Sequence, residues 1–164
     1  MNKKVLSILV FSFLFMGCSQ KVNKYAKPTD ILHEQSLTQT RKVEIKSKNI
    51  TKVYIIVTYI NQIDHELAGF DDEVDKFIVS IYIPSEQRQE LYDEILFVIN
   101  GKEQSCITTL KEDAPILKII PSPNPWSKYY YVEAPRELKS KDITLKFKIF
   151  NYESRVLSFS KDYL

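Results

Sequence analysis

The chain has 164 residues, of which 44% are hydrophobic and 27% charged, with a formal net charge of +2 and only three glycines. This balance is typical of one small globular domain, and it excludes a disordered chain, a collagen-like repeat and a polytopic membrane protein. Two cysteines are too few for a disulfide-dense mini-protein.

The first residues have the pattern of an export signal. Lys3 and Lys4 precede an apolar run over residues 5–16, which ends in Gly17 and Cys18. As a helix, this run would cover about 18 Å, well short of the ~30 Å hydrocarbon core of a bilayer. A charged start, an apolar middle and a small-residue exit predict a signal peptide over residues 1–17 that is removed from the mature protein.

The exit of this segment, Phe15-Met16-Gly17-Cys18, resembles the lipobox of bacterial lipoprotein precursors. In that family the signal is cut before the cysteine, and the cysteine sulfur is diacylated. The resemblance therefore implies cleavage between Gly17 and Cys18 and lipidation of Cys18, and it covers the signal only. Phe15 departs from the leucine that is usual at this position. A single acyl chain binds a membrane only marginally, whereas two or three would keep the protein on it.

The predicted cleavage also removes the net charge. It takes away Lys3 and Lys4 and no acidic residue, so the remaining basic residues equal the 21 acidic ones. A nucleic-acid partner is not expected, because such binding needs clustered Lys and Arg. Membrane attachment would then depend on the lipid. Ser19, directly after the cysteine, resembles an outer-membrane sorting signal if the source has two membranes, and we expect an envelope protein as the partner.

Residues 18–42 are mostly polar and are predicted to form the lipidated N-terminus and a flexible tether. Within this segment, residues 29–37 have the composition of a short helix that Thr29 or Asp30 would cap. The folded domain is predicted over residues 43–164.

Beyond the tether, the hydrophobic residues alternate with a period of two, which predicts β-strands. One run, residues 53–60, is apolar on both faces and is therefore predicted to be a central strand. Pro84 ends the next strand, because proline cannot donate to a strand ladder. The predicted strands lie at 43–46, 53–60, 77–83, 94–99, 102–109, 116–120, 128–133, 143–150 and 156–159.

Asn100-Gly101 is the clearest turn signal, because both residues tolerate the positive φ angles of a two-residue hairpin. A competing interpretation is a helix from Ser85 that ends at Gly101. Aromatic and β-branched residues after Glu94 favour at most a short helix at 85–92, followed by the hairpin.

About nine short strands without a long amphipathic helix predict an all-β fold, and we expect a single immunoglobulin-like two-sheet β-sandwich. Pro121, Pro123 and Pro125 would hold an extended connection that crosses between the sheets. The Cys-Trp-Cys pattern of true immunoglobulin domains is absent from the sequence.

Residues 61–76 form an acidic loop in which Asp71, Asp72 and Asp75 are the candidate metal ligands, with His65 nearby. Hard cations prefer several carboxylates together, but the order of these residues is not that of an EF-hand. We therefore predict a solvated loop, with no metal and no cofactor. Cys106 has no histidine close in sequence and is predicted to be a buried strand residue.

Aromatic residues concentrate around residue 126, and Trp126, Tyr129 and Tyr131 are the candidate partner-binding residues. On a strand, Tyr129 and Tyr131 would share one face and Tyr130 would lie on the other, so that at least one of these faces supports the core. Exposed aromatic side chains dominate protein interfaces, because they bury a large area at low entropic cost.

The sequence contains no Gly-x-Ser-x-Gly, His-Glu-x-x-His or Cys-x-x-Cys motif and no catalytic residues are predicted. We therefore predict a membrane-anchored lipoprotein with a non-enzymatic binding or envelope-assembly module. The alternative is an exported ligand-binding protein or hydrolase that uses the acidic loop at 61–76.

Overall fold

β-strands dominate the fold. The computed structural model describes residues 28–63, 73–84, 88–121, 123–137, 139–150 and 152–161. In these ranges the chain forms helices α1 and α2, one 3₁₀ helix and strands β1 to β10. In chain order the elements are α1 Pro28–Thr38, β1 Thr40–Ser47, β2 Ile50–Tyr59, β3 Val74–Tyr82, α2 Arg88–Asp93, β4 Ile95–Ile99, β5 Lys102–Glu103, β6 Ile107–Leu110, the 3₁₀ helix Pro115–Ile119, β7 Lys128–Pro135, β8 Asp142–Ile149, β9 Tyr152–Glu153 and β10 Leu157–Ser160.

The strands form two antiparallel sheets of five strands each, which confirms the all-β prediction. Sheet 1 has the order β1-β2-β3-β7-β6, and sheet 2 has the order β10-β8-β4-β5, with β9 paired to β8. β3 lies at the centre of sheet 1, and the strand predicted at 53–60 to be central is β2, which lies inside the sheet between β1 and β3.

The main core lies where the inward faces of the two sheets meet. Val57 of β2 and Val79 of β3 lie opposite each other in the register, and both are fully buried. Phe147 of β8 is also fully buried and packs edge-to-face on Phe97 of β4. Alternate residues of each strand point inward, because successive side chains of a strand point to opposite faces. The predicted period of two therefore identifies this core correctly.

Sheet 1 also has a second core on its outward face. Ile78 of β3 packs there with Leu117 and Ile119 of the 3₁₀ helix, and Leu32 of α1 packs against the same cluster. This cluster corrects the strand predicted at 116–120. Pro115 at the helix start lacks an N–H, and the N–H of Leu117 donates to the carbonyl of Ala114. Residues three apart lie on the same side of a 3₁₀ helix, so Leu117 and Ile120 both face the sheet and cover it instead of joining it.

The hairpin predicted at Asn100-Gly101 is confirmed, since φ is +49° at Asn100 and +78° at Gly101. The amide of Thr144 donates to Oδ1 of Asn100, which ties this turn to β8. The strand predicted at 102–109 is wrong. It divides into β5 in sheet 2 and β6 in sheet 1, because the chain crosses between the sheets in between.

Both predicted short helices are present where the structure describes them. The helix expected at 29–37 is α1, and the helix expected at 85–92 is α2, although residues 85–87 lie outside the described ranges. Strand β1 begins at Thr40, three residues before the predicted start of the domain. Among the described residues, no helix is both long and apolar enough to cross a bilayer.

Tyr130 of β7 lies half-buried between the sheets, where its ring packs edge-to-face on Phe97 at 5.6 Å. Burial, followed by the charges of Tyr92 and Asp93, raises the pKa of Tyr130 to about 12. The neutral phenol is therefore favoured in the folded state.

We expect the protein to lose stability as the pH rises from about 10 to about 12. In this window Tyr130 ionises in the unfolded chain but stays neutral in the folded one. Urea denaturation across this window should show a smaller alkaline loss for Tyr130→Phe than for the unmodified protein. Tyr54→Phe, at an exposed tyrosine, is the control. An equal alkaline loss in the protein and in Tyr130→Phe would contradict the prediction.

Candidate binding surface

The outward face of sheet 1 is covered over only part of its area, and the uncovered part forms a groove of about 1200 Å³. Its floor contains Tyr54 and Ile56 of β2 and Ser80 and Tyr82 of β3. One wall is the loop that contains Asn124 and Ser127. The groove continues around the edge of β1, past Lys42, Val43, Glu44 and Lys46, toward Glu153, Arg155, Val156 and Leu157. We call this feature the sheet-1 groove.

The aromatic content of the groove comes from neighbouring strands. Tyr54 and Tyr82 lie opposite each other in the β2–β3 register, and their ring centroids are 6.1 Å apart. Tyr54 is 42% exposed. A smaller cavity of about 120 Å³ shares Ile56, Ser80 and Lys42 with the groove and extends toward the end of α1. The groove therefore offers apolar rings beside hydroxyl groups, a mixture that is common at recognition surfaces.

Two carboxylates at the groove are held in the charged form. Nζ of Lys46 lies 2.9 Å from Oε2 of Glu44, and this hydrogen bond lowers the pKa of Glu44, with a further contribution from Thr51. A hydrogen bond from Lys146 likewise lowers the pKa of Glu153. These carboxylates are ionised at neutral pH and do not have the raised pKa of a general acid.

Two cations at the groove stand apart from these pairs. Lys42 and Arg155 are both exposed and line the groove. Within the described part of the chain, neither side chain forms an ion pair. They give the groove two positive charges that a ligand could reach.

The structure separates the three predicted aromatic residues. Trp126 is 67% exposed, whereas Tyr129 is only 4% exposed and belongs to the second core. Tyr131 is half-buried and packs against the same core. The predicted sharing of one face by Tyr129 and Tyr131 is correct, but that face is covered by the 3₁₀ helix. Only Trp126 presents most of its ring to the surface.

Tyr129 nevertheless positions the loop beside the groove. Its hydroxyl donates to the carbonyl of Asn124 at 2.9 Å and accepts from the Asn124 amide at 2.5 Å. Oδ1 of Asn124 accepts from the amide of Trp126 at 3.0 Å. The buried tyrosine thus holds the turn from which Trp126 projects.

Asp75 is not a metal ligand in this arrangement, because its carboxylate is engaged in a buried ion cluster. Oδ2 lies 2.9 Å from Nζ of Lys161, and Oδ1 accepts from the hydroxyl of Tyr59 at 3.0 Å. Nε of Arg136 lies 3.7 Å from Oδ1. Asp71, Asp72 and His65 lie outside the described residues, and within the described residues no group of three His, Cys, Asp or Glu side chains could hold a metal ion.

Cys106 is exposed in the loop before β6, which corrects the prediction of a buried strand residue. Its thiol lies 3.6 Å from Oε2 of Glu133. Desolvation and this carboxylate raise the pKa of Cys106, so the thiolate needed for nucleophilic attack is disfavoured. The proposed lipidation and cleavage residues, Cys18 and Gly17, lie outside the described residues.

The sequence pattern did not predict that Tyr54, Tyr82, Lys42 and Arg155 line one groove. The alternation in 53–60 placed Tyr54 and Ile56 on a shared face, but their apolar character predicted burial of that face. Comparison of the chain with protein-family models, curated proteins and solved structures gives no match.

The two aromatic residues of the loop should respond differently to substitution. Tyr129→Phe removes a hydroxyl that makes two backbone hydrogen bonds, and we expect it to lower the free energy of unfolding by about 1–2 kcal/mol. Trp126→Ala should change it by less than about 0.5 kcal/mol, because the ring is exposed. Urea denaturation of both variants measures this difference. The reverse order of effects would show that Trp126 is a core residue.

The Asp75 cluster should be sensitive to the loss of one partner. Lys161→Met leaves a buried carboxylate without its nearest cation, and we expect a loss of about 3 kcal/mol in the free energy of unfolding. The control is Lys146→Met, which breaks a partly exposed pair with Glu153 and should cost less than about 1 kcal/mol. Similar losses in both variants would contradict the argument from burial.

Proposed function

We propose that this chain is a bacterial lipoprotein that is held on the membrane by acyl chains at Cys18. The support is the sequence itself: Lys3 and Lys4, a short apolar run, and the pair Gly17-Cys18. Each buried methylene contributes about 0.8 kcal/mol, so two or three chains suffice for lasting attachment. Ser19 favours the outer membrane if the source has two membranes.

The domain beyond the tether is proposed to be a non-enzymatic binding or envelope-assembly module of the immunoglobulin-like sandwich type. The observation that carries this proposal is the sheet-1 groove, in which exposed aromatic rings lie beside solvated charges. Tyr54 lines the groove, and Trp126 projects from the loop that forms one wall. Aromatic residues of this kind are the usual centres of binding energy in protein interfaces.

A groove that runs over the face of sheet 1 and around the edge of β1 suits a macromolecular partner better than a small substrate, because small molecules need a pocket that buries most of their area. An envelope protein is therefore the proposed partner. Lipidation would keep the module close to the membrane, and the mostly polar residues 19–27, which precede α1, would allow the groove to reach that partner.

Anchoring and binding can be tested together in cells. We expect Cys18→Ala to release the protein from the membrane fraction, because it removes the acylated sulfur. Cys106→Ala is the matched control and should stay membrane-bound. Fractionation followed by immunoblotting measures both. A Cys18→Ala protein that still sediments with the membrane would contradict the lipoprotein proposal.

The binding half is tested by crosslinking in intact cells and mass spectrometry of the membrane fraction. We expect a defined envelope protein to be recovered with the unmodified chain and several-fold less of it with the double variant Tyr54→Ala and Trp126→Ala. Lys118→Ala, on the exposed side of the 3₁₀ helix, is the control. Equal recovery with both variants would show that the groove is not the binding surface.

A further inference from the structure

Strand β1 is an edge of sheet 1 with an open side. Its residues Thr40–Ser47 pair with β2, and no other described strand forms a ladder with it. An edge strand is a template for pairing with another chain unless it is protected. A bulge between Ile45 and Lys46 interrupts β1, so the regular part of this edge is residues 40–45. The opposite edges are short: β6, at the other edge of sheet 1, has four residues, and β5, at the edge of sheet 2, has two.

The sheet-1 groove follows this open side. Val43 and Lys42 of β1 line it from one direction, and Val156 and Leu157 line it from the segment that leads into β10. Val156 is 57% exposed. A chain in extended conformation rises about 3.3 Å per residue, so six residues would cover about 20 Å of the edge. Successive side chains of an added strand would point in opposite directions, so that one set would lie over Val156 and the other on the outward face of sheet 1.

The charges at the edge select the partner. Lys42, Lys46 and Arg155 line the groove together with Glu44 and Glu153, and Glu153 is paired with Lys146 and Lys148. Glu44 is already paired with Lys46, whereas Lys42 and Arg155 form no ion pair within the described residues. A second copy of this basic strand would bring like charges together, whereas an acidic peptide would complement them.

We propose that the open edge of β1 binds an extended acidic peptide of the partner as an added strand of sheet 1. The backbone of the peptide pairs with β1, its apolar side chains cover Val156, and its carboxylates reach Lys42 and Arg155. This mode gives affinity through main-chain hydrogen bonds and specificity through alternate side chains. The proposal rests on the proposed binding function and names the chemistry of the partner.

The test uses the full lipidated chain in detergent micelles and a labelled octapeptide that alternates aspartate with valine. Fluorescence anisotropy measures binding, and hydrogen exchange measures the protection of backbone amides. We expect the peptide to bind and to protect β1 but not β6 Ile107–Leu110. The same peptide with alternate amides N-methylated should bind at least about tenfold more weakly, because methylation removes ladder donors. A lysine-for-aspartate peptide should not bind.

Charge variants locate the contact on the protein. Lys42→Glu and Arg155→Glu should each weaken binding by about tenfold at low salt, and the effect should shrink as the salt concentration rises, because ions screen exposed charges. Lys118→Glu is the matched control, since it reverses an exposed cation away from the groove.

Three results would overturn the proposal: no binding of the aspartate–valine peptide, equal binding of its N-methylated form, or protection of β6 in place of β1. If one of these occurs while crosslinking to an envelope protein still depends on Tyr54 and Trp126, the proposed function stands and only the strand addition fails. If recovery of that envelope protein does not depend on Tyr54 and Trp126 either, both proposals are overturned.

Discussion

The structure depends on one constraint, which is that the central strand of sheet 1 must be covered on both faces. Every residue of β3 from Asp75 to Ile81 is buried. A sheet that is apolar on one face needs one packing partner, but a strand buried on both faces needs two. Sheet 2 covers the inward face, and α1 with the 3₁₀ helix covers part of the outward face.

The unequal cover of the two faces produces the surface that we associate with function. The 3₁₀ helix and α1 lie over Ile78 but do not extend to Tyr54 and Tyr82, so the same face changes from core to groove along the strands. At the other face, Asp75 closes the end of the main core, where Tyr59 donates to its Oδ1 and Nζ of Lys161 lies 2.9 Å from its Oδ2. Asp75, an acidic residue of the predicted loop, is therefore part of the scaffold. The groove is the more suitable surface for a partner.

The candidate site was only partly predictable. Trp126, one of the three candidate partner-binding residues, is exposed. The burial of Tyr129 was not predicted, because alternation determines which face a residue shares but not what covers that face. Lys42 and Arg155 gave no signal, since single basic residues are common on solvated strands, and only the groove between β1 and β10 brings them to the same surface.

The sequence by itself determined most of the strands, their inward faces and the Asn100-Gly101 turn, because these depend on side-chain alternation and on the φ angles of two adjacent residues. It also determined the lipobox-like segment at Cys18, which is a local pattern. Only the tertiary structure decided that 102–109 divides between two sheets, that 116–120 is a 3₁₀ helix and that β1 is an open edge. Those features depend on which distant segments compete for the same apolar surface, and local periodicity contains no information about that competition.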